Sequence, residues 1–89
     1  MGIIGLKIKI MPKSPSSDLE EIKHSAMEIV KKGGGRNREY EIEPIAFGLK
    51  AIIAFFEWPE EKELGYVEEA FKKIKDVSSI QVTDMRKIA

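Results

Sequence analysis

Residues 4–10 read IGLKIKI, and in this stretch apolar residues alternate with glycine and lysine. Alternation with a period of two predicts a β-strand that buries one face of its side chains and exposes the other. Such a strand is stable only when other strands pair with it and a second layer covers its apolar face. The rest of the sequence predicts both.

Two amphipathic helices are predicted. Ser17 and Glu20 have the spacing of a capping box, which indicates the start of a helix. Apolar residues at spacings of three and four extend this helix to about Lys32, where the three glycines 33–35 stop it and form a flexible loop. A second apolar stripe predicts a helix over residues 64–75, with acidic residues before it and lysines at its end. This charge distribution complements the helix dipole.

Three further strands are predicted. Residues 39–43 alternate glutamates with apolar residues and indicate a short strand, while residues 49–56 are nearly all apolar and indicate a central one. The loop 44–48 between them is too long for a two-residue hairpin turn. The last strand covers residues 77–85, and residues 86–89 follow it as a short tail.

The elements therefore follow one another in the order βαββαβ. With right-handed crossovers, this order predicts an α+β, ferredoxin-like sandwich in which two helices cover one face of a four-stranded antiparallel sheet. A chain of 89 residues is long enough for one hydrophobic core and too short for two. We expect residues 1–89 to form a single domain.

The composition excludes several classes of function. There are 15 basic and 15 acidic residues, so no net charge attracts the chain to nucleic acid or to an anionic membrane. The absence of cysteine excludes disulfides, thiolate nucleophiles and cysteine-ligated metals, and fits a reducing cytoplasm. We find no stretch typical of a signal peptide or of a membrane span.

Few side chains are suited to catalysis. His24 is the only histidine, and its place at the edge of an apolar stripe favours an ordinary surface position. Glu60, Glu61 and Glu63 lack the spacing of a calcium loop and indicate a solvated helix start. The glycines 33–35 follow a helix, whereas a phosphate-binding loop follows a strand. We expect no covalent catalysis, no metal and no cofactor.

Two side chains are not explained by the periodic patterns. Phe47 stands in the loop between Pro44 and Gly48, where it either offers an apolar wedge to a partner or folds back as a lid on the end of the sheet. Lys87 stands near the end of the sequence, beyond the predicted last strand, where a solvated lysine is the ordinary interpretation.

These two residues belong to segments that carry a family resemblance. Residues 44–50 read PIAFGLK, residues 6–12 read LKIKIMP and residues 84–88 read DMRKI. Together with the length of the chain and the order of its elements, these segments resemble the archaeal translation elongation factor 1-beta family over essentially the whole chain. The resemblance implies a ferredoxin-like guanine nucleotide exchange factor that acts on the GTPase elongation factor 1-alpha.

The resemblance also implies roles for particular residues. Phe47 and Lys87 match family residues that contact the GTPase beside its nucleotide site, and Lys50 matches a supporting one. Eukaryotic members have an aromatic residue where this chain has residues 33–36, and a second lysine where it has Ala51. Contacts from those two places are therefore not expected to carry over.

Two alternative functions remain at this stage. A ferredoxin-like regulatory, ligand-sensing or oligomerising module would use its open sheet face or its edge strands. An RNA-binding domain would stack bases on exposed aromatics such as Tyr40, Phe55 or Phe56. The glutamates beside these aromatics would repel phosphate, which disfavours direct binding of nucleic acid.

Overall fold

Residues 2–89, which the computed structural model describes, form a four-stranded sheet and two helices. The elements are β1 (Ile3–Pro12), α1 (Leu19–Lys32), β2 (Arg36–Pro44), β3 (Lys50–Pro59), α2 (Leu64–Lys72) and β4 (Val77–Lys87). The strands lie in the order β2-β3-β1-β4, and every neighbouring pair is antiparallel. The predicted α+β, ferredoxin-like βαββαβ fold is confirmed.

The alternating sequence of β1 decides which face of the sheet is covered. Leu6, Ile8 and Ile10 are fully buried, whereas Lys7 between them is exposed on the opposite face. The neighbouring strand β3 buries the residues that pair with this apolar row, including Phe56 opposite Leu6. Because β1 and β3 occupy the two central positions, their apolar rows form the floor of the hydrophobic core.

Both helices pack their apolar stripes onto that floor. The buried residues of α1 lie at spacings of four, and Phe71 of α2 packs against Phe56 with a ring-centroid distance of 5.8 Å. The second helix ends at Lys72, three residues earlier than predicted. No helix among residues 2–89 is long and apolar enough to cross a membrane.

The start of α1 differs from the prediction by one residue. The N-cap is Asp18, whose carboxylate accepts from the Glu21 backbone N–H at 3.2 Å. The Ser17 hydroxyl instead accepts from the Ser14 backbone N–H in the preceding turn. The predicted capping box of Ser17 and Glu20 is therefore wrong, because a serine engaged in a turn cannot also cap the helix.

Two of the three glycines that follow α1, Gly33 and Gly35, are closely packed, and the connection to β2 is shorter than predicted. A Cβ atom on Gly33 would collide with the Trp58 ring, and one on Gly35 would lie 2.6 Å from the Glu57 carbonyl oxygen. The backbone therefore passes directly over Trp58 and joins the sheet at once. As a result β2 begins at Arg36, three residues before the predicted start.

Candidate functional site

Phe47 lies in the turn that joins β2 to β3. The Leu49 backbone N–H donates to the Ala46 carbonyl oxygen at 3.1 Å. The two residues between them, Phe47 and Gly48, have positive φ angles of 59° and 78°. These features define a type I′ turn. The Ile45 N–H also donates to the Leu49 carbonyl oxygen at 2.7 Å, which leaves three residues in the loop between the paired residues. The prediction that the connection from Pro44 to Lys50 is too long for a two-residue hairpin is therefore confirmed.

The Phe47 side chain stands almost entirely in solvent. It is 95% exposed, so the alternative in which it folds back as a lid on the sheet is wrong. Positive φ is rare for a bulky residue and costs about 1–3 kcal/mol, a strain that is concentrated at functional sites. The turn therefore holds an apolar ring away from the protein at the expense of stability, as expected of a residue that contacts a partner.

Lys50 lies at the same end of the sheet as Phe47. It is the first residue of β3, it pairs with Pro44 of β2, and its side chain is exposed. Its ammonium forms no ion pair with a carboxylate in the described part of the chain. A partner that covers Phe47 would therefore meet an unneutralised positive charge a few residues away.

Lys87 is the last residue of β4, and its backbone is tied to β1. The Ile88 N–H donates to the Ile3 carbonyl oxygen at 2.8 Å, and the Ile3 N–H donates to the Ala89 carbonyl oxygen at 2.7 Å. The predicted tail over residues 86–89 is therefore wrong. The backbone N–H and carbonyl groups of Ile3, the first residue of β1, bond to Ile88 and Ala89 and so extend the pairing beyond Lys87. No local sequence pattern reveals this pairing.

The Lys87 side chain forms an ion pair that the sequence did not predict. Its Nζ lies 3.4 Å from Oε2 of Glu60, and the two side chains are 67% and 45% exposed. Glu60 directly follows β3, and the sequence indicates only that it belongs to a solvated helix start. The pairing depends on the register of three strands, so sequence spacing alone carries no signal for it.

Phe47 and Lys87 lie at opposite ends of the sheet. Ile4 pairs with both Trp58 and Lys87, which places Lys87 at the far end of β3. Lys50 and Trp58 are separated by eight positions on β3, or about 26 Å of strand. Phe47 lies still further away, beyond Lys50. At most one of the two proposed contact residues can therefore lie beside a bound nucleotide.

The aromatics considered for RNA binding do not share one surface. Phe55 lies on the open face of the sheet, with the Lys7 ammonium 5.6 Å from its ring centroid. Phe56 is buried in the core, and Tyr40 packs against that core from the edge strand. The Tyr40 hydroxyl donates to Asn37 Oδ1 at 2.6 Å, and burial raises its pKa. The open face thus lacks the row of aromatics on which successive bases stack.

Among the titratable residues that the structure describes, none shows the grouping that a metal site requires. His24 is exposed on α1, as the sequence predicted. Among residues 2–89 there is no cluster of three or more histidines, aspartates or glutamates that could hold a metal ion. The open face carries a shallow pocket of about 240 Å³, lined by Gly5, Lys7, Phe55, Asp84, Arg86 and Ile88.

Comparison with known proteins supports the resemblance seen in the sequence. Residues 6–88 match the family described as EF-1 guanine nucleotide exchange domain. Elongation factor 1-beta of Methanosarcina barkeri is 40% identical over 89 residues, covering 99% of this chain and 100% of the relative. The protein of the same name from Methanococcus aeolicus is 39% identical over 87 residues, covering 96% of this chain and 97% of the relative.

A third relative, elongation factor 1-beta of Methanobrevibacter smithii, is 40% identical over 90 residues and covers 99% of both chains. All three relatives are archaeal methanogen proteins. The resemblance to the archaeal elongation factor 1-beta family is confirmed.

Proposed function

Since the chain belongs to the EF-1 guanine nucleotide exchange domain family, we propose that it accelerates the release of GDP from the GTPase elongation factor 1-alpha. The family acts in translation elongation as guanine nucleotide exchange factors. The proposal adds the identity of the GTPase, the residues that contact it and the cytoplasm as the place of action. The 89 residues act as one exchange domain that makes and breaks no covalent bond.

The observation that carries the proposal is the exposure of Phe47 on a strained turn. An aromatic side chain of this kind gains about 1.5–3 kcal/mol when it is fully buried in an apolar pocket. Because the turn already presents Phe47 to solvent before binding, a partner does not have to extract the ring from this protein's own core. Lys50 adds a positive charge to the same contact. We assign these two residues to anchoring the complex.

Lys87 is assigned to the nucleotide site of the GTPase. A GTPase holds GDP with backbone donors and with a Mg²⁺ ion that bridges protein and phosphate. An ammonium group inserted beside that ion repels it and competes for its oxygen ligands, which weakens the binding of GDP. A thousandfold acceleration of GDP release requires the activation free energy to fall by only about 4 kcal/mol.

The distance between Phe47 and Lys87 requires that the two residues contact different parts of the GTPase. Because Phe47 and Lys87 are separated by more than about 26 Å of sheet, the proposal places Lys87 at the metal and Phe47 in a separate pocket of the same GTPase. A partner must therefore span most of the 42 Å length of this protein. A folded protein of GTPase size meets that requirement, whereas a small ligand does not.

The test is the release of fluorescent GDP from the cognate elongation factor 1-alpha, followed by stopped flow. We expect acceleration by the wild type, and a large loss with Phe47→Ala and with Lys87→Ala. Lys31→Ala is the matched control, because Lys31 is an exposed lysine on α1 without a described ion pair.

Each outcome has a defined meaning, provided that all variants retain the circular dichroism spectrum of the wild type. Acceleration that survives both substitutions would keep the exchange function and overturn the assignment of the residues. No acceleration by the wild type at any concentration would overturn the exchange function and favour a regulatory module that uses the open sheet face.

A further inference from the structure

The Lys87 ammonium is already engaged in the free protein. Its Nζ lies 3.4 Å from Glu60 Oε2, and both side chains remain in contact with solvent. The neighbouring Arg86 projects toward the opposite face, where its guanidinium lies 3.1 Å from Asp84 Oδ2. Glu60 is therefore the carboxylate that neutralises Lys87 among the residues that the structure describes.

The main chain holds Glu60 in this position. Its backbone N–H donates to the Gly2 carbonyl oxygen at 2.8 Å. A Cβ atom on Gly2 would lie 2.5 Å from Glu60 Oε1 and 2.8 Å from the Ala89 carbonyl oxygen. Only glycine therefore leaves room for the carboxylate beside the end of β4. Both partners of the ion pair are fixed at their backbones, and only side-chain rotation is needed to separate them.

A paired ammonium is poorly suited to the role proposed for Lys87. Together, the two side chains carry no net charge, so the pair as a whole repels a bound cation only weakly. The ammonium must leave Glu60 before it can enter a site that is rich in oxygen ligands. An exposed ion pair is weak enough for this, because such pairs favour the paired state only by a factor of about 1.4–5.

We propose that Glu60 competes with the GTPase for Lys87, so that it sets the fraction of this protein whose Lys87 is free to bind. The inference rests on the function proposed above. When only part of a population is competent to bind, the apparent dissociation constant rises in inverse proportion to that fraction. Glu60 thus weakens productive binding without changing the exchange step within the complex.

The test compares Glu60→Gln with Glu61→Gln in the GDP-release assay. Both variants remove one negative charge at the same end of the molecule, but Glu61 has no described ion pair. We expect Glu60→Gln to lower the half-saturating concentration about two- to sixfold relative to Glu61→Gln, with an unchanged maximal rate. The difference should shrink at about 1 M salt, because ions screen exposed pairs.

A second measurement follows the ion pair without the GTPase. Limited acetylation, read by mass spectrometry, reports how reactive the Lys87 amine is relative to that of Lys50, which is exposed and has no described ion pair. We expect Glu60→Gln to raise the ratio about two- to sixfold, because loss of the carboxylate frees the amine. Glu61→Gln should leave the ratio unchanged.

The outcomes separate this inference from the function on which it rests. If the wild type accelerates GDP release but Glu60→Gln equals Glu61→Gln, only the competition by Glu60 is overturned. A higher half-saturating concentration for Glu60→Gln would also overturn it, because Glu60 would then assist binding. If the wild type does not accelerate release, the exchange function itself is overturned, and the inference with it.

Discussion

The two ends of the sheet prepare their contact residues in opposite ways. At one end Phe47 is 95% exposed on a turn with positive φ. At the other end Lys87 lies within a paired strand, its neighbours bond to β1, and its ammonium is neutralised by Glu60. The first end exposes its contact residue on a strained turn, and we call it the displayed end. The second end holds its contact residue in a paired strand and in an ion pair, and we call it the tied end.

The physical chemistry of the two side chains accounts for this difference. An aromatic ring that folded onto its own protein would have to be extracted again, at a cost comparable to the binding energy that it provides. A lysine can exchange one carboxylate for another with little net cost, because exposed ion pairs are weak. An apolar contact residue is therefore best exposed to solvent before binding. A charged contact residue can instead form a temporary ion pair within its own protein.

The largest effect is expected from removal of the charge at the tied end. Lys87→Met keeps the aliphatic stem and removes the ammonium, and we expect the acceleration of GDP release to fall about 100-fold or more, since an uncompensated charge near a metal is worth several kcal/mol. Stopped-flow release measures the loss. A Lys87→Met variant that retains full activity would show that the tied end contributes no charge to exchange.

A smaller effect tests how closely the backbone is packed around Gly2, beside the ion pair of Lys87 and Glu60. Gly2→Ala places a methyl group 2.8 Å from the Ala89 carbonyl oxygen, a backbone atom that side-chain rotation cannot move away. We expect the free energy of unfolding to fall by about 1–3 kcal/mol, as for other overpacked sites. Urea denaturation measures it. Gly65→Ala is the control, because no atom lies within 4 Å of the added methyl and alanine favours a helix. Equal stability of both variants would contradict the close packing around Gly2.

The smallest effect, and the most direct test of the displayed end, is a gain in stability. Asparagine tolerates positive φ and is preferred in type I′ turns, so we expect Phe47→Asn to raise the free energy of unfolding by about 1 kcal/mol while exchange is lost. Phe47→Ala should lose exchange without this gain, because alanine keeps the backbone penalty. Thermal unfolding compares the two. If Phe47→Asn is no more stable than Phe47→Ala, the turn is not strained.

Most of the fold was predictable because it depends on local periodicity. The alternation in residues 4–10 indicated a half-buried strand, and β1 buries the predicted face. The helix stripes were equally clear, and only the exact ends of the elements were wrong. These ends depend on competition between neighbouring groups, as at Asp18, where a serine bound in a turn left the capping role to the next residue.

The candidate site was predictable only in part. Phe47 was noticeable in the sequence because no periodic pattern provided a place for it in the core, and its near-complete exposure agrees with that interpretation. Its positive φ was not predicted, because phenylalanine is an unusual residue for a type I′ turn. Lys87 was identified by resemblance, and its place within β4 and its ion pair were missed.

The amino-acid sequence by itself determined the order of the elements, the face of each that is buried and the family to which the chain belongs. These follow from spacings of two, three and four residues and from short segments of conspicuous composition. Only the tertiary structure decided that Phe47 and Lys87 lie at opposite ends, that Gly33 and Gly35 pack on Trp58, and that Glu60 neutralises Lys87. Each of these depends on strand register, which brings together residues far apart in the chain and is chosen by the packing of the whole core.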